Sequence, residues 1–243
     1  PDIVVDSSEP ESVGALGLLN GAQQVLGIEC IAASMTQGGE KVLAFVPTVH
    51  SLFRHRGQKN ITRTCLVMEG LDGFYNLAEV AAAYPGGIEG RDVAWMWRRL
   101  LVALGLAHRC GIVHGAVVPA HVMIHPAEHG LVLVGWGMSV TVGSRLNIKD
   151  PRYVGYPPEV LAKEPVTEAT DIHMAATTML TVLGDKAPRP MKAFARGCQL
   201  EKESMRPHDA WQLKEEYDEL LERLYGRRRF RKFDMPVPPR LNR

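Results

Sequence analysis

The sequence predicts an α+β fold in which a small mixed lobe precedes a larger, mainly helical lobe. Three observations support this prediction. Two apolar runs separated by a polar break lie before residue 73, an amphipathic pattern spans 90–111, and helical spacing dominates from Pro157 onward. A chain of 243 residues that is 46% hydrophobic is large enough to bury the core that such a fold requires.

The small lobe begins with weak patterns. The run DIVV at 2–5 is typical of a short strand, and 14–34 has the pattern of a helix weakened by several glycines. Apolar runs at 45–55 and 61–71 lie on either side of the polar segment RGQKN. They predict two antiparallel strands.

A turn and two helices follow. Asp72 and Gly73 predict the turn, and the helical segment 76–84 ends at a Pro-Gly-Gly sequence. The clearest helix of the chain spans 90–111, and Gly111 is a typical helix end. Its apolar stripe consists of Val93, Trp97, Leu100, Leu101, Leu104 and Ala107 or His108.

The rest of the chain is a hairpin and a helical half. Residues 121–137 predict two short strands around a turn with proline and glycine. Four helical segments then follow, at 157–163, 169–184, 190–200 and 209–226. In the last of them a core face is predicted for Trp211, Tyr217, Leu220, Leu221 and Leu224.

Composition excludes several classes of protein. The net charge of +1 gives no overall basic field of the nucleic-acid-binding kind. Four scattered cysteines predict neither a disulfide framework nor a zinc site, so a reduced, cytoplasmic setting is expected. Neither a signal peptide nor a membrane span is predicted. Because the chain opens on proline, we expect that an N-terminal piece is missing.

Five segments in order resemble parts of the protein kinase fold. LVMEGLDG resembles the strand and hinge between the kinase lobes, and LLVALGLAHRCGIVHG resembles the helix that leads into the catalytic loop. YPPEVL, TEATDIHMAATTML and LEKESMRPHDAW resemble the Ala-Pro-Glu segment, the next helix and an arginine-bearing segment after it. The resemblance, which starts near Val46, implies a bilobal fold with a reduced N-lobe at 1–70, a C-lobe at 71–226 and a basic, proline-containing tail at 227–243.

The same resemblance implies structural roles for individual residues. The hinge backbone at Met68, Glu69 and Gly70 would be the vestige of an adenine site. Asp171 stands at a buried acid position, and Arg206 stands where kinases have the arginine that pairs with the glutamate of Ala-Pro-Glu. The residues implied to hold the scaffold together are His114, Pro119, Trp136, Gly137, Pro158, Glu159, Asp171 and Arg206.

The positions that carry chemistry in the family are altered. A kinase catalytic loop supplies an Asp as base, a Lys beside the phosphoryl group and an Asn for magnesium, and the Asp of Asp-Phe-Gly completes the magnesium site. Here Ala116, Val118, His121 and Gly135 stand at these four positions. Because magnesium demands hard oxygen ligands, the sequence predicts that no catalytic residues remain.

The predicted small lobe agrees with this interpretation. A kinase has a glycine-rich loop over the phosphates and a strand lysine paired with a helix glutamate. No such loop precedes DIVV, that strand has no lysine, and LLNGAQQVLG offers no acid. The missing lysine and acid carry more weight than the loop, since the loop would belong to the N-terminal piece expected to be missing.

Five histidines between 108 and 129 could suggest a metal site, but none is predicted. His108 and His114 resemble packing residues of the kinase core, and the spacing of His125 and His129 spans a turn rather than a helical face. His121 is a candidate general base for another reaction. A plain loop residue is the favoured interpretation, since the sequence shows no partner to orient its ring.

The segment GRRRFRKF at 226–233 is basic with two aromatic residues. Such a composition suits contact with RNA through Arg227, Arg228, Arg229, Arg231 and Lys232. The favoured alternative is a solvated tail in which Phe230 and Phe233 pack back onto the helical lobe. The final residues, DMPVPPRLNR, are expected to be extended or disordered.

These observations predict a catalytically inactive kinase-like domain, a pseudokinase, that acts as a scaffold or allosteric module for a protein partner. No cofactor is expected, although binding of ATP without magnesium stays open. The first alternative is a weak or atypical ATP-dependent kinase of the same fold. A third is a nucleic-acid-associated module that uses the basic tail.

Overall fold

The structure is a computed structural model that describes residues 4–7, 45–47, 49–56, 62–146 and 155–236. The α+β class is confirmed, since small sheets and several helices make up the described part. The division into two lobes stays a prediction. The helix predicted at 14–34 lies outside the described residues.

Three small sheets occur in the described ranges. Strands β1 (Val4–Ser7), β2 (Val49–Arg56) and β3 (Thr62–Met68) form an antiparallel sheet with β3 in the centre. The predicted antiparallel pair is therefore confirmed. The strand predicted from DIVV is also present, two residues later than its pattern indicated.

The other two sheets bring the predicted hairpin next to the long helix. Strand β4 (Tyr75–Asn76) pairs with β6 (Val122–His125), which pairs with β7 (Gly130–Leu133). Strands β5 (Ile112–Val113) and β8 (Val140–Thr141) form the third sheet, a short antiparallel pair. The hairpin predicted within 121–137 is confirmed.

The helices follow the predicted order. They are α1 (Leu77–Ala83), α2 (Gly90–Arg109), α3 (Pro158–Leu161), α4 (Glu168–Leu183), α5 (Arg189–Cys198) and α6 (Ala210–Tyr225). Asn76 caps α1, because its side chain accepts from the Glu79 backbone while the Glu79 carboxylate accepts from the Asn76 backbone. At α6 the Asp209 side chain accepts from two backbone N–H groups of the first turn.

Helix α2 is the centre of the core. Its predicted apolar stripe is fully buried from Val93 to Ala107, and α2 packs against α4 and α6. Trp97 packs against Phe194 of α5 and Tyr217 of α6, with ring centroids 5.5 and 4.9 Å away. On the predicted core face of α6, Tyr217 and Leu221 are buried, whereas Trp211, Leu220 and Leu224 pack half-buried against the core.

Candidate functional site

The candidate site is the loop His114–His121 together with the turn Gly135–Gly137. The loop follows α2 and β5, and the turn follows β7. Gly115 has a positive φ of +71°, and a Cβ there would lie 2.5 Å from the Leu146 side chain. The positive φ therefore favours glycine at this position, and a larger residue would also have to displace the Leu146 side chain.

Asp171 holds the loop from the first turn of α4. Its fully buried carboxylate accepts hydrogen bonds from the backbone N–H of His114 at 2.7 Å and of Gly115 at 2.8 Å. A third contact joins it to His108 Nε2 at 3.0 Å. The structure thus brings together two helices and the loop around one acid, and the arrangement is that of a structural anchor.

The ring of His114 is buried and fully hydrogen-bonded in its neutral form. Its Nδ1 accepts from the Ala116 backbone N–H at 3.2 Å, and its Nε2 lies 3.0 Å from the Val134 carbonyl oxygen. Burial lowers the pKa of His114 from 6.5 to about 4, even though the Asp171 carboxylate opposes that shift. A neutral ring with both nitrogens engaged packs and orients the loop but cannot serve as an acid near neutral pH.

This burial predicts that the protein loses stability on mild acidification. His114 and the half-buried His173 both have a folded-state pKa of about 4, below the unfolded value of 6.5. Their stabilising contribution is therefore present above pH 6.5 and is lost as the pH falls toward 4, because the unfolded chain binds protons more tightly. For His114 alone, lowering the pH from 7.5 to 5 should remove about 2 kcal/mol of unfolding free energy.

Urea denaturation at pH 7.5, 6.5, 5.5 and 5.0 measures this loss. The variant His173→Gln should show a shallower pH dependence than the unaltered chain, with the share due to His114 still present. An unfolding free energy that stays constant between pH 7 and 5 would contradict a buried neutral His114.

His121 occupies the space beside Gly135. Gly135 adopts the left-handed conformation, with φ +82° and ψ +28°. A Cβ built on it would lie 2.5 to 2.7 Å from three ring atoms of His121. No side chain larger than hydrogen therefore fits at position 135 while the His121 ring is in this place.

The ring of His121 is oriented, contrary to the sequence interpretation. Its Nδ1 lies 2.8 Å from the Ala116 carbonyl oxygen, which can only accept, so Nδ1 carries the proton. Two backbone hydrogen bonds fix the residue, from His121 N to Val118 O and from Val134 N to His121 O, both at 2.9 Å. Because the partner is a backbone carbonyl five residues earlier, only the folded loop reveals it.

Ala116 and Val118, which the resemblance places at the catalytic Asp and Lys positions, are buried. Ala116 is 1% exposed and Val118 is 6% exposed, and Val118 belongs to the hydrophobic core. The Val117 carbonyl between them accepts from Thr178 Oγ1 of α4 at 2.8 Å. The loop therefore faces the interior at these positions, and Thr178 is an anchor that no local sequence pattern identifies.

Trp136 stands at the position that the resemblance implies for the phenylalanine of Asp-Phe-Gly. It is 3% exposed, its Nε1 donates to the Leu133 carbonyl at 2.7 Å, and its ring meets His114 edge-on at 4.6 Å. Gly137 follows in the same short 3-10 turn, Trp136–Met138. Pro119 opens another such turn, Pro119–His121, which presents His121 to Gly135.

A buried ion pair joins α3 to the segment before α6. Glu159 accepts from Arg206 through both carboxylate oxygens, at 2.8 and 3.0 Å, and from Thr170 Oγ1 at 2.9 Å. Burial alone would raise the pKa of Glu159, but these hydrogen bonds hold it below its usual range. Pro158 is exposed at the first turn of α3. The structure therefore contains the ion pair between Glu159 and Arg206 that the resemblance implies.

The predicted hinge follows the central strand β3. Met68, the last residue of β3, is buried and pairs with both β1 and β2. Glu69 and Gly70 come next and are half-buried. An adenine contact at these residues stays a prediction.

A metal site and a membrane-spanning helix are the next two features to compare with the sequence predictions. The described ranges contain no group of three His, Cys, Asp or Glu side chains arranged for a metal ion. Among the helices of those same ranges, none combines the length and apolar character needed to cross a membrane.

The basic tail is only partly as predicted. Phe233 packs onto the helical part and is 5% exposed, whereas Phe230 packs less closely and is 71% exposed. The Phe230 ring stacks on the ring of His129. Arg228 and Arg231 form ion pairs with body residues, while Lys232 pairs with Asp234 within the tail.

Comparison with known proteins supports a kinase-like relationship. No protein-family model matches the chain. A segment of 48 residues is 42% identical to casein kinase II subunit alpha' of Saccharomyces cerevisiae. The match covers 20% of this chain and spans 14% of the length of the yeast protein.

Proposed function

We propose that the chain is a catalytically inactive protein kinase-like domain that acts by binding a protein partner, as a scaffold or allosteric module. The contact between His121 and Gly135 carries this proposal, because an imidazole ring fills the space that a carboxylate at position 135 would need. Magnesium prefers hard oxygen ligands, which neither residue offers. The proposal includes a cytoplasmic location and no resident cofactor.

The loss of rate expected without the kinase catalytic groups supports inactivity. Loss of a positioned general base lowers a rate by roughly 10²–10⁴. Electrostatic stabilisation of the moving phosphoryl group is usually the larger share of catalysis, and the lysine and magnesium positions that supply it are Val118 and Gly135 here. These losses act on one reaction centre and need not multiply, but any one of them leaves a poor kinase.

The alternative function is a weak kinase that retains phosphotransfer, and the orientation of the His121 ring favours it. With the proton on Nδ1, the His121 ring presents Nε2 as a free acceptor, which is the form a general base requires. A weak kinase working through His121 would lose its activity in His121→Ala. A nucleic-acid role is less well supported, since Arg228 and Arg231 already pair with acidic side chains.

Thermal-shift titration with ATP tests the proposal. We expect no magnesium-dependent rise in melting temperature, because the positions that would hold the metal offer glycine and imidazole. A ligand at a hundredfold excess over its Kd would add about 2.7 kcal/mol, which is a readily measured shift. A shift with ATP alone would fit the metal-free binding left open by the sequence, whereas a clear rise that needs magnesium would contradict the proposal.

A further inference from the structure

The segment Arg228–Asp234, here called the clasp, lies across the body without helix or strand. It begins just after Gly226, which ends α6 with a positive φ of +71°. Arg228 pairs with Asp218 of α6 at 3.3 Å. Arg231 hydrogen-bonds the Glu89 carboxylate, and its Nε lies 3.5 Å from Asp92 Oδ1. Every arginine contact of the clasp is thus to an acid.

Aromatic contacts alternate with these ion pairs. The Phe230 ring stacks on His129 with centroids 4.5 Å apart, and His129 stacks on Trp95 of α2 at 4.2 Å with an interplanar angle of 4°. Phe233 is buried beside Tyr84 at 6.0 Å. The Tyr84 hydroxyl also donates to the Asp234 carbonyl.

The body residues that hold the clasp form an acidic and aromatic groove. The clasp groove consists of Tyr84, Glu89, Asp92, Trp95, His129 and Asp218. They come from the end of α1, the start of α2, the β6–β7 turn and α6. Asp218 also accepts from Arg98 and Lys214, and Glu89 also pairs with Arg91 at 3.8 Å. The charge contact particular to the clasp is therefore that of Arg231 with Glu89 and Asp92.

The clasp fits this groove incompletely. Asp92 Oδ1 and His129 Nε2 are buried yet have no hydrogen bond within the described part of the chain. Phe230 leaves 71% of its surface exposed, and the Arg228 side chain leaves 69% exposed. Exposed ion pairs contribute little stability, so a segment with better-placed donors can displace the clasp.

We propose that the clasp groove is a docking site for an extended segment of a partner protein with the pattern Arg-x-Phe-Arg-x-Phe, and that the clasp occupies it in the free chain. Arg228, Phe230, Arg231 and Phe233 themselves supply this pattern. The inference rests on the proposed function in one respect, since it gives the partner of a binding module a chemistry. Its test involves no nucleotide, so each proposal can fail without the other.

Displacement of the clasp is tested in the full chain with a fluorescent peptide of residues 227–236. In the release variant Phe230→Ala with Arg231→Glu, the altered side chains are 71% and 45% exposed and lie outside the hydrophobic core, so folding should be retained. We expect this variant to bind the peptide at least tenfold more tightly than the unaltered chain, as measured by fluorescence anisotropy. The matched control Arg227→Ala with Arg229→Ala should behave like the unaltered chain.

Two further reagents test whether the clasp groove itself binds the peptide. Adding Glu89→Lys to the release variant should abolish binding, and circular dichroism verifies that each variant is folded. A peptide with alanine at both phenylalanine positions keeps the arginines and should bind at least tenfold more weakly. Equal binding of both peptides, or no gain in the release variant, would overturn the proposal.

A second copy of the chain is the competing occupant of the groove. Sedimentation of the unaltered chain over a range of concentrations should show a monomer. A concentration-dependent dimer that disappears in Phe230→Ala would assign the groove to the clasp of another copy and would overturn docking of a partner protein.

Discussion

Replacing Arg206 with methionine is expected to lower the free energy of unfolding by about 3–5 kcal/mol, because a carboxylate is left buried without its counterion. The Arg206 side chain is 0% exposed and that of Glu159 is 5% exposed. The same guanidinium also donates to the Leu200 and Glu201 carbonyls. Urea denaturation measures the loss, and an unchanged m-value verifies that the transition is comparable.

Two controls separate the buried pair from arginine loss in general. Arg228→Ala removes an arginine whose side chain is 69% exposed, so its loss should change stability by less than about 1 kcal/mol. The double variant Arg206→Met with Glu159→Leu should be more stable than Arg206→Met alone, since no unpaired charge stays buried. A loss below about 1 kcal/mol for Arg206→Met would contradict the buried ion pair.

Asp171→Ala is expected to destabilise the chain by about 3–5 kcal/mol, because it leaves the buried backbone N–H groups of His114 and Gly115 without acceptors. His108 loses its contact as well. Asp171→Asn keeps the volume but turns an amide donor toward one of these donors, so it should also destabilise.

The matched control for this prediction is His108→Ala, which removes only one of the three contacts and should have a smaller effect. Thermal and urea unfolding of the three variants give the comparison. If Asp171→Ala retains the stability of the unaltered chain, Asp171 does not anchor the loop His114–His121.

Helices and hairpins were predictable from local patterns. The stripe of α2 repeats over several turns and the two apolar runs of the β2–β3 pair flank a polar break, so periodicity alone identifies them. Pairing of Glu159 with Arg206 came from the resemblance to kinases, and residues so far apart give no local signal. The two side chains meet only because α3 and the segment before α6 pack together.

Four features of the structure could not be predicted from the sequence. The orientation of His121 depends on a backbone carbonyl in a folded loop, and its contact with Gly135 depends on a left-handed backbone. The Thr178 anchor depends on the packing of α4 against the loop. Phe230 and Phe233 lie in one basic run, and only the groove distinguishes the exposed ring from the buried one.

Transfer of the γ-phosphate of ATP in the presence of magnesium distinguishes an inactive kinase-like domain from a working kinase. The measurement follows labelled phosphate on the chain itself and on a general protein substrate, with His121→Ala analysed in parallel. We predict no transfer above the background of a heat-denatured sample, because Ala116 and Val118 offer neither a carboxylate nor a lysine and His121 and Gly135 offer no side-chain oxygen for magnesium. Transfer by the unaltered chain that His121→Ala abolishes would contradict the account and identify an active enzyme.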